Sequence, residues 1–241
     1  MKPLFELAPG LDRAALAADY AHDRRVRIDD VLTVETANEI HDILTRGTDW
    51  GLGWTAGAAK PEGVRGAALR ALAPAACAKL GEAAALAARR GEFAFIYGRY
   101  PMLDAYLEGW DKGHPLDLLL EHINSEPMLD LVREITAEPR LLKADAQATL
   151  YAPGHFLTVH DDSQSAEGRR VAYVLNLCRD WRPDWGGYLM FYDADGDVVA
   201  GWRPRFNALS LFAVPQSHSV TYVPPFAPVG RFAITGWFRD L

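Results

Sequence analysis

Apolar residues recur at helical spacing through the first half of the chain and at strand spacing through the second. The segment DRAALAADYAHD, following Pro9-Gly10, predicts a helix, and VRIDDVL after it predicts a short strand. Either Thr33 or Thr36 opens the next helix. A start at Thr33 puts Thr36 where a capping box wants Glu or Gln, whereas a start at Thr36 supplies Glu39. With either start, Val34, Ala37, Ile40, Ile43 and Leu44 form one apolar face that calls for a large partner surface. Residues 67–90 and 115–137 predict further helices, interrupted at Pro74 and Pro127. Residues 50–66 carry five glycines and no period, which predicts a loop.

Beyond Pro139 the pattern changes to short alternating runs separated by turns. Strands are predicted at residues 145–151, 157–161, 170–177, 187–193, 198–202, 208–214, 219–223 and 231–239. Asp193-Ala194-Asp195-Gly196-Asp197 supplies a hairpin turn. The expected class is α+β, a single domain of 1–241 in which a mainly helical region, 1–139, supports a β sandwich or barrel at 140–241. No Ser-rich or charged linker separates the two halves.

Composition narrows the function classes. With 241 residues, 49% of them apolar, the chain is long enough to bury its own core. The 25 Lys and Arg against 32 Asp and Glu leave a formal charge of -7, the wrong sign for neutralising a phosphate backbone, so nucleic-acid binding is not expected. No apolar run approaches the roughly 20 residues of a membrane span. The N-terminus lacks the order of a secretory signal, which makes the cytoplasm the expected location. Cys77 and Cys178 show no CxxC or Cys/His pairing, so both are expected as small buried apolar groups rather than a disulfide or a zinc site.

Candidate chemistry lies in the strand half. If the strand is regular through His160-Asp161-Asp162, alternation turns His160 and Asp162 to one face and Asp161 to the other. A lone His-x-Asp is commonly surface chemistry. His218, 58 positions later, adds a second imidazole, and two His with one carboxylate is the facial triad of non-haem Fe(II) oxygenases. In the last strand, Arg231, Ala233, Thr235 and Trp237 share one face, and Phe232, Ile234 and Phe238 the other. An inward Arg231 calls for an anion such as a carboxylate, and an Arg231 at the rim calls for a structural salt bridge; the strand alone fits either. His155 suits a turn or rim position, and His22, His41, His114 and His122 have no ligand spacing. Tyr97, Tyr100, Tyr106 and Trp110 are expected in the core.

Taken together, Tyr151-Ala-Pro-Gly-His-Phe-Leu-Thr-Val-His160-Asp-Asp162, Glu167-Gly-Arg-Arg-Val-Ala-Tyr173, Trp185-Gly-Gly-Tyr-Leu, His218 and Arg231-Phe-Ala-Ile-Thr235-Gly-Trp237-Phe resemble the catalytic domain of the Fe(II)/2-oxoglutarate-dependent prolyl hydroxylases. The chain is similar to both the hypoxia-factor and the ribosomal-protein prolyl hydroxylases over about residues 145–240. The resemblance implies a double-stranded β-helix, cupin-like, with iron held by His160, Asp162 and His218. It implies that 2-oxoglutarate reaches Arg231 with its far carboxylate, that Tyr173 assists that Arg, that Tyr151 reaches the iron-binding end and that Thr235 shares the site. Arg169 and Trp237 become candidates for the substrate mouth, although an exposed charge at Arg169 and a core position for Trp237 are equally compatible with the pattern. The implied reaction uses O2 and 2-oxoglutarate to hydroxylate a prolyl residue of a protein or peptide, with release of succinate and carbon dioxide. Two departures stand out: Ala233 replaces a Ser frequent in the ribosomal branch, and 241 residues cannot hold that branch's second β-helix domain. A cupin-like binding module without turnover, and a hydroxylase of a small molecule, remain the alternatives.

Overall fold

The computed structural model describes residues 5–57, 60–163 and 168–241. Thirteen strands among the described residues join one curled, antiparallel sheet with helices against its outer face. The first helices are α1 (Arg13–Asp23) and α2 (Val34–Asp42), with strand β1 (Arg25–Asp29) between them. Thr33 caps α2 by accepting the Thr36 N–H, so the earlier of the two possible starts is the one used. The predicted apolar face then buries Ala37, Ile40 and Leu44, while Val34, in the first turn, stays exposed. Helices α4 (Pro74–Arg89) and α7 (Glu126–Thr136) each carry a proline in the first turn, after α3 (Gly66–Ala71) and α6 (Pro115–Ile123) respectively. Pro74 and Pro127 divide the predicted helical stretches because a residue without an N–H is tolerated at a helix start and not inside one.

All eight strands predicted beyond Pro139 are present: β6 (Gln147–Tyr151), β7 (Phe156–His160), β8 (Arg169–Leu177), β9 (Leu189–Tyr192), β10 (Val198–Trp202), β11 (Phe206–Ala213), β12 (His218–Val220) and β13 (Arg231–Arg239). A two-residue strand, β5 (Lys143–Ala144), pairs with the end of β13. The division into a helical half and a strand half needs correction. Besides β1, which was expected, residues before 139 supply β2 (Gly51–Ala56), β3 (Glu62–Val64) and β4 (Ala94–Tyr100), and β2 and β3 occupy the segment expected to be a loop. The strand order β1-β11-β8-β13-β6-β4-β7-β12-β9-β10 puts β4 between β6 and β7, in the middle of the sheet. A strand covered on both faces has no polar alternation to betray it: six of the seven residues of AFIYGRY are buried.

Outside the curl, the helices α1, α2, α6 and α7 and α5 (Met102–Glu108) close over Leu175, Leu177, Leu209, Leu211, Ile234 and Phe238. Inside it, Phe95, Tyr97, Tyr151 and Trp181 form one cluster and Val174, Phe191, Phe212 and Ala233 another. The large core holds the sheet curled, and the inner surface is left to the site. Cys178 is buried as expected, its thiol pushed up to about 12 by desolvation, whereas Cys77 on α4 is only partly covered.

Candidate metal centre

The two histidines of the predicted triad meet because β7 and β12 pair antiparallel with His160 opposite His218. The ladder is irregular there. Val220 pairs with Leu157 and His218 with His160, so two steps on β12 face three on β7. Such a bulge re-aims one side chain; it gives His160 the same inward face as Leu157, which packs beside Tyr97 and Tyr151. Strand β7 ends at His160, and Asp162 lies past it with a left-handed φ of 61°. The expectation that plain alternation would align His160 with Asp162 is therefore corrected: the pair converges through a turn that Asp tolerates better than most residues.

His160 Nε2 lies 3.4 Å from Asp162 Oδ1, and His218 Nε2 lies 3.5 Å from Asp162 Oδ2. Each histidine turns its other nitrogen to a backbone carbonyl, His160 Nδ1 to Thr158 at 3.0 Å and His218 Nδ1 to Gln216 at 2.7 Å. A carbonyl only accepts, so Nδ1 carries a proton in each ring, which leaves Nε2, the nitrogen turned towards Asp162, as the one a metal would take. Burial lowers the His218 pKa to about 4, and neighbouring His160 pushes the same way. Burial alone would raise the Asp162 pKa, but the hydrogen bond with His160, the two histidine charges and the Trp237 N–H outweigh it and hold the carboxyl below its usual value. Among the described residues these three side chains form the one His/Cys/Asp/Glu group compact enough to hold a metal ion, with ligand atoms within 4.8 Å of one another.

Arg231 resolves in favour of the inward reading. It is 1% exposed, its Nε donates to Asn176 Oδ1 at 3.1 Å, and its terminal nitrogen NH1 is buried with no partner. Burial lowers its pKa, opposed by Tyr151 and Cys178. The guanidinium carbon lies 5.2 Å from the centre of the Tyr151 ring, which packs 5.1 Å from the ring of Tyr97, itself 5.0 Å from that of Phe95. Gly187, at φ 66°, lets the chain approach: a Cβ there would sit 3.4 Å from Arg231 Cδ. Tyr151 lies beside Arg231, and Thr235 lies four residues along β13 on the same face.

Tyr173 does not join the site. It lies three positions before Asn176 on β8 and so projects from the opposite face, into the helix-covered core; its hydroxyl donates to the Asp145 carbonyl at 2.9 Å and its ring packs on Phe238. The residue beside Arg231 is Asn176, which the sequence reading missed. Tyr97, expected as plain core, is buried but belongs to the inner wall with Tyr151. Trp237 donates its indole N–H to Asp162 Oδ2 at 2.9 Å, and the Arg169 guanidinium lies 3.7 Å over its ring. Arg170 instead pairs with Asp240. His155 takes the Ala152 N–H in a turn, as expected. Glu167 lies outside the described residues. A separate cavity of about 460 Å³, lined by Asp49, Arg65, Arg99, Trp110 and His114, contains none of the triad; Arg65 and Asp49 there are paired with Glu108 and Arg70.

The segment carrying this geometry, residues 146–239, matches the model of the 2OG-Fe(II) oxygenase superfamily. That segment is similar to a 2OG-Fe(II) oxygenase domain. Prolyl 3-hydroxylase OGFOD1 of Xenopus laevis is 32% identical over 127 residues, which is 50% of this chain and 24% of that protein, so the chain spans about a quarter of its relative's length. Among solved structures, a prolyl-4-hydroxylase of Pseudomonas putida superposes with a TM-score of 0.60 at 20% identity, covering 95% of this chain and 99% of that one. A prolyl hydroxylase of Trichoplax adhaerens, solved with a hypoxia inducible factor peptide fragment, gives 0.61 at 14% identity, covering 95% and 89%. These neighbours share the double-stranded β-helix, and the curled sheet here has that fold. The donor set fits the iron of the family, two imidazoles and one carboxylate being the facial arrangement that Fe(II) oxygenases use. The orphaned NH1 of a buried guanidinium fits a carboxylate.

Proposed function

We propose that the protein is an Fe(II)- and 2-oxoglutarate-dependent dioxygenase that hydroxylates a prolyl residue in a protein or peptide, with release of succinate and carbon dioxide. The observation that carries this reading is the pairing, on one inner surface, of the His160/Asp162/His218 group with a buried Arg231 whose NH1 lacks a partner. In this assignment His160, Asp162 and His218 hold the iron. Arg231 takes the far carboxylate of 2-oxoglutarate, Asn176 fixes the guanidinium through Nε, and Tyr151 walls the space between, with Thr235 on the same face. Bound iron, with the 2-oxo acid and O2, supplies the oxidation that a side chain cannot. The chain's own residues bind, orient and exclude water: Phe95, Tyr97, Tyr151 and Trp181 make that side of the site apolar. The prolyl substrate class is supported by the OGFOD1 relatives, which are prolyl 3-hydroxylases, and by the peptide bound in the Trichoplax neighbour.

The test is turnover of carboxyl-labelled 2-oxoglutarate by purified protein with Fe(II) and ascorbate, with and without proline-containing peptides. Labelled carbon dioxide released in step with addition of one oxygen atom to a prolyl peptide is the expected result. Release that no peptide stimulates, but a small-molecule acceptor does, overturns the substrate class; no release from a folded, iron-loaded chain overturns the oxygenase.

A further inference from the structure

Asp162 has two carboxylate oxygens within reach of the metal position, Oδ1 nearer His160 and Oδ2 nearer His218. Nothing in the triad itself stops both from binding one cation. If both did, the carboxylate would take a coordination position that the 2-oxo acid or O2 needs, since the facial arrangement works by leaving three positions open. The structure offers a device against this. Trp237 Nε1 donates to Asp162 Oδ2 at 2.9 Å, and an indole N–H can only donate. Its aim is set from three directions. The backbone N–H of Trp237 is bound by Asp145 Oδ1 at 2.8 Å, the ring is covered by the Arg169 guanidinium at 3.7 Å, and β13 pairs with β8 on one side and β6 on the other. Asp162 itself lies just past the end of β7 with a left-handed backbone, so no strand ladder fixes the rotation of its carboxylate.

We infer that Trp237 is a positioning residue that keeps Asp162 a one-oxygen ligand, holding Oδ2 so that Oδ1 alone faces the metal and the position for the 2-oxo acid stays open. This rests on the iron reading above, and it reassigns Trp237 from the substrate mouth to the support of the triad. Arg169 acts one step further out, through the indole plane. The N–H is the atom that matters. A ring of similar shape without it keeps the packing against Arg169 and loses the restraint.

Trp237→Phe removes the N–H while keeping an aromatic ring under Arg169, and Trp237→Ala removes the ring as well. Infrared difference spectra of each protein with and without Mn(II) or Fe(II) under argon report the separation of the two carboxylate stretches, which narrows when both oxygens bind one ion. In Trp237→Phe we expect metal retained, that separation narrowed, and the affinity of the metal-loaded protein for 2-oxoglutarate reduced about tenfold, the scale of the one hydrogen bond to a charged group that is lost. Unchanged separation together with unchanged 2-oxoglutarate affinity overturns the inference. Loss of the metal itself from Trp237→Phe also overturns it, since the indole would then support the whole triad rather than set one oxygen. Failure of the wild-type protein to bind metal or 2-oxoglutarate is a different outcome: it removes the oxygenase reading, and the positioning role with it.

Discussion

Replacing Arg231 by Met separates the two things a buried guanidinium does. In the structure the group is 1% exposed and holds Asn176 through Nε, while NH1 has no partner. Without the cosubstrate that orphaned donor is a burden on the fold, and Met fills similar volume with an apolar chain, so thermal stability should hold or rise. With the cosubstrate the same donor meets a carboxylate in a dry surrounding, where removing one partner of a buried pair costs about 3–5 kcal/mol. Taking the lower figure because Tyr151 and Asn176 remain to contact the ligand, about 3 kcal/mol corresponds to a loss on the order of a hundredfold in affinity. The assay is anaerobic calorimetry of 2-oxoglutarate into metal-loaded protein, wild type and variant, repeated with 2-oxovalerate, which has the same chain length and 2-oxo acid but no far carboxylate. The variant should lose its preference for 2-oxoglutarate and bind 2-oxovalerate as the wild type does. Equal loss of both ligands would place the damage at the metal end, and no loss of either would refute the assignment of Arg231.

Further outcomes follow from individual contacts. Asn176→Ala, which frees the Arg231 Nε, should weaken 2-oxoglutarate binding about tenfold with metal affinity unchanged, as one charge-assisted hydrogen bond is worth about 1.5 kcal/mol at the low end. Tyr173→Phe should leave cosubstrate affinity alone and lower stability by about 1 kcal/mol, read by urea unfolding, because it loses only the bond to the Asp145 carbonyl. His218 titrates near 4 when folded against 6.5 when free, so as pH falls from about 6.5 towards 4 the unfolded chain takes up a proton that the folded one refuses. The metal-free protein should therefore lose about 3 kcal/mol of stability across that window, and His218→Gln should flatten that part of the profile. Ile40→Ala, at a position with no exposure on the face of α2, should cost about 2–5 kcal/mol by denaturant unfolding without altering metal binding.

What could be read from the chain depended on whether a feature was local. The eight later strands show alternation or turn punctuation within their own residues, and the closing strand declared the face shared by Arg231, Thr235 and Trp237. Strand β4 did not, because AFIYGRY is covered on both faces and sits far in sequence from its partners β6 and β7. Glycine-rich β2 and β3 gave no period, although β2 pairs with β4 over its whole length and β3 pairs with β2. The triad was legible as residue types and as motif, but the geometry that assembles it was not: a bulge turns His160 inward and a left-handed Asp162 brings the carboxylate back. Parity along β8, three positions from Tyr173 to Asn176, would have shown that only one of them can share a face with the Arg231 side of the sheet. The choice between them needed the register of β8 against β13, in which Asn176 faces Ala233 and Tyr173 faces Gly236.

The central claim is that His160, Asp162 and His218 hold Fe(II) while Arg231 anchors 2-oxoglutarate beside it. Anaerobic titration of the metal-free protein with Fe(II) and then 2-oxoglutarate, followed in the visible region, tests it most directly, because an iron chelate of a 2-oxo acid has a weak charge-transfer band that neither component shows alone. The band should appear in the wild type at one equivalent of iron, vanish in His218→Ala and Asp162→Ala, and need far more 2-oxoglutarate in Arg231→Met. A folded wild-type chain that takes up no iron and develops no band would contradict the account.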